Sequence, residues 1–233
     1  MIQITDQLAQ ARQRASQALH KAGRPPDDLM IVAVSKQQSS DAIRAARAAG
    51  LTHFGESYAQ EAIIKQDSLD RSDITWHFIG KIQSNKTRVV AERFDWVHSL
   101  DRLRIAERLN DQRPDRHDPL NVLIQVNVAN EPQKSGLPID EVGEFARLVA
   151  KLPRLSLRGL MTVPPFHGSD SQRRHHYTAV RDLDIQLLES GLRLDTLSMG
   201  MSQDFEIAIA CGSNCIRIGT ALFGPRTPLS SHG

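Results

Sequence analysis

Two cysteines, Cys211 and Cys215, are the only thiols in a chain of 233 residues. Such sparse use excludes a disulfide framework, and the absence of further ligands nearby in sequence leaves no metal-binding spacing. Both are expected to be small buried side chains near a helix end. An excess of charge of one sign is missing too, since 29 Lys and Arg face 27 Asp and Glu. That balance gives no bulk attraction to nucleic acid. No run approaches the ~20 apolar residues that cross a bilayer. The opening MIQITDQLAQARQRASQALHKAGR has neither the apolar stretch nor the small-residue cleavage site of a secretory leader. No low-complexity linker or compositional break divides the sequence. The expectation is a cytoplasmic protein, one domain over residues 1–233, with no membrane or nucleic-acid partner.

What is present is a core's worth of apolar residues, 40%, arranged in a rhythm. Short β-branched runs fall at about 30–35, 52–55, 75–79, 96–99, 121–128, 156–162, 196–199 and 215–222. Helical periodicity fills the gaps at about 39–49, 58–65, 85–92, 101–109, 139–151, 171–189 and 203–210. A leading helix carries Ile4, Leu8, Ala11, Ala15 and Leu19 on one face, with Asp6 as its cap and Gly23, Pro25 and Pro26 as its stop. Eight βα units in about 230 residues predict an α/β fold, a single (β/α)8 TIM barrel with an extra N-terminal helix. The alternative, an open doubly wound sheet, lacks its G-x-G-x-x-G after the first strand.

In such a barrel chemistry belongs at the C-terminal ends of the strands. Strand one ends in Ser35-Lys36. Alternation puts Lys36 on one face with Val32 and Val34, and a lysine rising from an apolar floor loses its proton more readily. A neutral amine attacks an aldehyde, the logic of Schiff-base lysines, whereas a strand-end lysine reaching into water is the bland reading. Arg217, two residues before Gly219, needs a partner if it points inward: a structural carboxylate, or the pyridine nitrogen of pyridoxal phosphate. Gly200, Ser202, Gly219 and Thr220 sit after strands seven and eight, where this fold binds phosphate, and a helix starting after Ser202 would add its dipole.

The stretches VAVSK (32–36), HFGESYAQE (53–61), WHFIGKIQSNK (76–86), KSG (134–136), GLMTV (159–163), LSMGMSQD (197–204) and IRIGTALFG (216–224) resemble, in order, the pyridoxal phosphate homeostasis proteins. The resemblance implies a barrel like the N-terminal domain of alanine racemase and covalent pyridoxal 5′-phosphate on Lys36. It implies Arg217 at the ring nitrogen, and the phosphate on Ser202, Gly219 and Thr220 with Met201 close by. Ser57 stands where the family usually has Asn, which puts a contact at the cofactor's edge in doubt.

Two functions follow. One is a non-catalytic carrier that contributes to vitamin B6 homeostasis, with apo-enzymes needing the cofactor as prospective recipients. The other is a small amino-acid racemase. Alanine racemases add a C-terminal β domain that supplies a catalytic tyrosine; only nine residues follow Gly224, and the chain's two tyrosines, Tyr58 and Tyr177, offer no obvious second base. An arginine at the pyridine nitrogen makes the ring a poorer electron sink, which argues against transaminase and decarboxylase chemistry. These points favour the carrier, and without the second domain a monomer is expected. A phosphate-binding barrel enzyme with no aldehyde cofactor would leave Lys36 unexplained.

Several residues are set aside as solvated or structural. His167, His175 and His176, with Arg173 and Arg174, read as a solvated face, and Lys81 and Lys86 as a solvated helix entrance. Trp76 and Trp96 read as strand packing. Lys134, in the loop after strand five, is expected to help pass cofactor in or out.

Overall fold

The computed structural model of the chain describes residues 4–70, 73–165 and 168–224. The elements, in order, are α1 (Ile4–Lys21), β1 (Met30–Val34), α2 (Ser40–Ala48), β2 (His53–Glu56), α3 (Ala59–Ser68) and β3 (Thr75–Phe78). A 3-10 turn (Ser84–Lys86) leads into α4 (Thr87–Arg93), followed by β4 (Trp96–Leu100), α5 (Leu103–Gln112), β5 (Leu120–Val126) and α6 (Ile139–Val149). The last third holds β6 (Leu155–Thr162), α7 (Asp170–Glu189), β7 (Thr196–Met201), α8 (Phe205–Ala210), β8 (Cys215–Ile218) and α9 (Thr220–Phe223). All eight strands pair in parallel in sequence order, and β8 returns to β1, with Val32 opposite Arg217. This is the expected (β/α)8 barrel with its leading helix.

The pattern behind the closure is simple. Strand residues of one parity face the helices and join the main apolar cluster, with Ala33, Phe54, Trp76, Val97, Val122 and Ile218 among them. Those of the other parity fill the barrel, where Trp96, Leu123 and Met161 form a small separate cluster with Met30. Helix α1 buries Leu8, Ala11, Ala15, Ala18 and Leu19 and packs on α8 and α9, sealing the seam where the first and last strands meet. Arg24 reinforces that seam by donating to the carbonyls of Ile209 and Ser213.

Two expectations are corrected. Asp6 lies inside the first turn of α1 and does not cap it. The eighth strand does not run to residue 222: it stops at Ile218, and Gly219, with φ −120° and ψ −74°, caps the short α9. The apolar run continues through Ala221 and Leu222, so hydrophobicity alone reads as one strand where the backbone turns. Gly200, near the end of β7 where the pairing with β8 shifts register, makes a close approach possible. Its φ is +92°, and a Cβ there would lie 2.7 Å from the Ala208 Cβ, so α8 seats directly on the strand end.

Candidate cofactor site

A cavity of about 380 Å³ opens at the C-terminal ends of the strands. Lys36, Ser57, Met201, Ser202, Arg217, Gly219 and Thr220 all line it, whereas Gly200 and Lys134 do not. Of the two valines of β1 that share a face with Lys36, Val34 lines the cavity and Val32 does not; Ile79 and Met161 add apolar wall.

Arg217 is 5% exposed. Its guanidinium donates to the carbonyls of Ser198 (2.7 Å) and Thr162 (2.9 Å) and to the Ser198 hydroxyl. Among the described residues no carboxylate forms an ion pair with it, so the structural-carboxylate alternative is not what the barrel provides. Burial lowers its pKa, opposed by Cys215, Tyr177 and Asp204. The guanidinium is held from behind by carbonyls and remains a donor toward the cavity.

Across the cavity the backbone prepares for an anion. The N–H groups of Gly219 and Ala221 converge on Ser202 Oγ at 3.3 and 3.2 Å. Ser202 Oγ here takes the two donors that a phosphate oxygen would need, with Thr220 beside them on the same cavity. The helix whose first N–H groups face Ser202 is α9, not α8. The N-cap of α8 is Asp204, whose carboxylate takes the Met201 N–H at 2.8 Å and the Tyr177 hydroxyl at 2.8 Å. The helix expected after Ser202 is present as α8, starting at Phe205, but the N–H groups that reach Ser202 Oγ are those at the start of α9.

Lys36 stands on a support that sequence reasoning missed. Lys65 of α3 is 5% exposed, and its Nζ donates to Ser35 O (2.7 Å), Glu56 Oε1 (2.8 Å) and Glu61 Oε1 (2.6 Å). Glu61 Oε1 also accepts the Gln37 N–H at 2.5 Å, and Gln37 takes the uncommon φ of 61°. The residues on both sides of Lys36 are thus fixed by one buried ion cluster. Burial raises the Glu56 pKa, against the pull of Lys65 and the Ser35 hydroxyl. The available signal was the spacing of Glu61 and Lys65, four apart on a helix that follows the strand carrying Glu56.

The residues set aside divide. Arg173, read as solvated, lines the cavity while pairing with Asp170. Lys81 and Lys86 line an adjoining cleft of about 510 Å³ that shares Lys36, Ser57 and Ile79 with the cavity. His175 and His176 lie on α7, and His167 lies outside the described residues. Lys134 pairs with Glu131 at 2.5 Å. Tyr177, expected in a polar segment, is fully buried, and burial together with Asp204 pushes its phenol far above the ordinary range. Tyr58 is exposed at the head of α3. Trp76 is buried in strand packing; Trp96 closes the opposite end, stacked on His77. Both cysteines are unbridged and buried.

An aldehyde, an aromatic nitrogen and a phosphate in one molecule would find here an amine beside apolar wall, a buried donor and a paired N–H cradle. The residues therefore fit pyridoxal phosphate. Among the described residues no group of His, Cys, Asp and Glu has the arrangement of a metal site, and no helix is long and apolar enough to cross a membrane.

Known proteins resemble the chain over nearly its whole length. Residues 7–227 match the family described as alanine racemase, N-terminal domain. The pyridoxal phosphate homeostasis protein of Escherichia coli K12 is 47% identical, over 97% of this chain and 98% of that protein. Its namesake from Pseudomonas aeruginosa is 49% identical, over 97% of each. The solved structure of PipY from Synechococcus elongatus with PLP bound aligns with a TM-score of 0.85 at 37% identity, covering 95% of this chain and 100% of that one. Alanine racemase from Corynebacterium glutamicum shares the fold, with a TM-score of 0.71 at 16% identity over 98% of this chain and 63% of its own.

Proposed function

Because the chain belongs to the family of the pyridoxal phosphate homeostasis proteins, we propose that it binds pyridoxal 5′-phosphate as a Schiff base on Lys36, without catalytic turnover, and so contributes to vitamin B6 homeostasis. The observation that carries this is the convergence of Lys36, Arg217, Ser202, Gly219 and Thr220 on one cavity. Bound there, the cofactor supplies an electrophilic aldehyde carbon and a ring that absorbs visible light. Lys36 supplies the nucleophile, with Val34 and Ile79 lining the same cavity. Arg217, unable to accept a proton back, donates to the ring nitrogen and leaves it unprotonated. Ser202, Gly219 and Thr220 would hold the phosphate with Met201 close by, and Ser57 would stand toward the cofactor's edge.

The tyrosines support holding over turnover. A racemase needs a second acid–base group across the ring, and the phenol of Tyr177 is committed to Asp204 while Tyr58 faces solvent. The same reading takes the barrel as one cytoplasmic domain acting as a monomer, and apo-enzymes as recipients. The test is direct. Purified protein given the cofactor should show the visible band of a protein Schiff base, and borohydride should fix it to the peptide bearing Lys36. Lys36→Ala should lose both. A band that survives in Lys36→Ala refutes the assignment, and exchange of the α-hydrogen of common amino acids at enzymatic rates would establish the racemase instead.

A further inference from the structure

Three histidines run in line through the barrel interior. His53 Nδ1 lies 2.9 Å from His77 Nε2, His77 Nδ1 lies 2.9 Å from His98 Nε2, and His98 Nδ1 lies 2.9 Å from Ser198 Oγ. Ser198 Oγ accepts from Arg217. The line starts at the floor, where His53 borders two clefts of about 520 and 940 Å³, and ends on the guanidinium in the mouth cavity. Holding the cofactor makes no evident use of it.

Counting donors gives the line a direction. A neutral imidazole has one N–H and one lone pair. Burial holds His77 and His98 well below the ordinary imidazole range; His98 and His53 add to this at His77, and Arg217 and His53 at His98. Both are therefore neutral. Arg217 only donates, so Ser198 Oγ accepts from it and has one proton to place. His98 Nδ1 is a better acceptor than the nearby Cys215 thiol. With that proton on the His98 bond, His98 donates from Nε2 to His77, His77 donates from Nε2 to His53, and the Nε2–H of His53 faces the floor.

A protonated His53 forbids this arrangement, because it carries N–H on both nitrogens and must donate through Nδ1. His77 then accepts at Nε2 and donates from Nδ1, His98 does the same, and Ser198 Oγ receives two donors at once. We propose that this line couples the floor of the barrel to its mouth: protonation of His53 reverses every hydrogen bond in it and loosens Arg217, so that a ligand held through an aromatic nitrogen binds less tightly in acid. The reversal is independent of the cofactor assignment; the effect at the mouth rests on it. By linkage, a ligand on Arg217 makes His53 harder to protonate.

The surroundings of His53 place the transition. Burial lowers its pKa and Asp95 opposes that, so reversal falls on the acid side of the ordinary imidazole range. Beside His77, one cleft brings Arg12 of α1, Asp27 and Asp28 before β1, Arg158 of β6 and Asp195 before β7. The other brings Glu92 and Arg93 of α4, Asp95, and Arg113, Arg116, His117 and Asp118 after α5. Arg158 is neutralised by Asp195, with bonds of 3.0 Å to both carboxylate oxygens.

The first experiment needs no ligand. In protein labelled with 15N-histidine, long-range 1H–15N spectra should show His77 and His98 as Nε2–H tautomers above neutrality. Both should switch to Nδ1–H in step with the titration of His53, and the switch should vanish in a folded His53→Phe variant. Fixed tautomers at His77 and His98 while His53 titrates, or an unchanged switch in His53→Phe, would overturn the proposal. The second experiment measures pyridoxine 5′-phosphate, which has no aldehyde, by calorimetry from about pH 8 to about pH 5.5. The wild type should lose roughly three- to tenfold more affinity than His53→Phe, the size of one altered buried hydrogen bond. Titration of the ligand's phosphate is common to both proteins. Ser198→Ala, which removes the hydroxyl that joins the line to Arg217, should lose the extra pH dependence. Equal pH dependence in the wild type and His53→Phe refutes the coupling, whereas no binding at any pH refutes the cofactor assignment and with it the mouth half of the proposal.

Discussion

Two buried polar networks support the mouth from behind, and they are built on opposite principles. Under Lys36 the barrel buries formal charge, with Lys65 between Glu56 and Glu61 at 2.8 and 2.6 Å. Under Arg217 it buries neutral imidazoles joined end to end to Ser198. The charged cluster is compact and pins the backbone on both sides of Lys36. The neutral line is long and reaches from one end of the barrel to the other. A point that must not move suits an ion cluster, whose members depend on one another for solvation. A connection across a dry interior suits groups that each donate once and accept once, because no ion then has to be desolvated along the way.

The largest expected effect tests the charged half. Lys65→Met removes the ammonium and leaves Glu56 fully buried, with Oε2 already lacking a partner. Breaking such a pair from one side destabilises by about 3–5 kcal/mol, read as a shift of the urea midpoint at neutral pH. Burial already raises the folded pKa of Glu56, and losing Lys65 raises it further. A carboxylate raised in the folded state contributes stability at low pH that is lost as pH climbs through the folded pKa. The gap between Lys65→Met and the wild type should therefore narrow on acidification, and Glu56→Gln in the same background should recover part of it. A constant gap at every pH would show that Lys65 acts by packing and not by charge.

Asp184 of α7 gives the limit of a buried carboxylate with no ammonium beside it. It is 9% exposed, its Oδ1 has no partner, and burial with the nearby Asp195 raises its pKa from 3.8 to about 6. Its contribution is complete below the unfolded value and disappears as pH rises through about 6. Asp184→Asn should accordingly stabilise the protein at pH 8, by roughly 2 kcal/mol, and leave it unchanged near pH 4. Denaturation at the two pH values checks the sign. Equal stability at pH 8 would mean that water already reaches the carboxylate.

The two networks also differ in how much of them the sequence discloses. Lys36, Ser57, Ser202 and Arg217 are legible because they fall at strand ends in the inward phase, where this fold places chemistry. Lys65 is hidden because its partners lie on a strand end and a helix whose approach depends on packing, although its spacing to Glu61 was visible. His53, His77 and His98 occupy the inward phase of three successive strands, yet each reads alone as an ordinary strand residue. Carrying the phase of Lys36 through the neighbouring strands would have aligned them. Nothing local links His98 to Ser198, one hundred residues away; only barrel closure does. The end of β8 was misread for a different reason. Hydrophobicity continues across Gly219, and the turn is a property of its backbone dihedrals, which composition does not report.

The smallest effect decides whether the second network is neutral in practice. Ser198→Ala deletes one hydroxyl where the line meets Arg217. His98 Nδ1 loses its donor, but no ion is stranded, because Arg217 keeps the carbonyls of Ser198 and Thr162. The cost should be about 1–2 kcal/mol, the range for leaving one buried neutral acceptor unsatisfied, and it should barely change between pH 6 and pH 8. That contrasts with Lys65→Met, whose larger penalty varies with pH. A Ser198→Ala penalty as large as that of Lys65→Met would mean that the guanidinium depends on the hydroxyl for its solvation. The histidine line would then behave as a second ion cluster, with Arg217 as its charge.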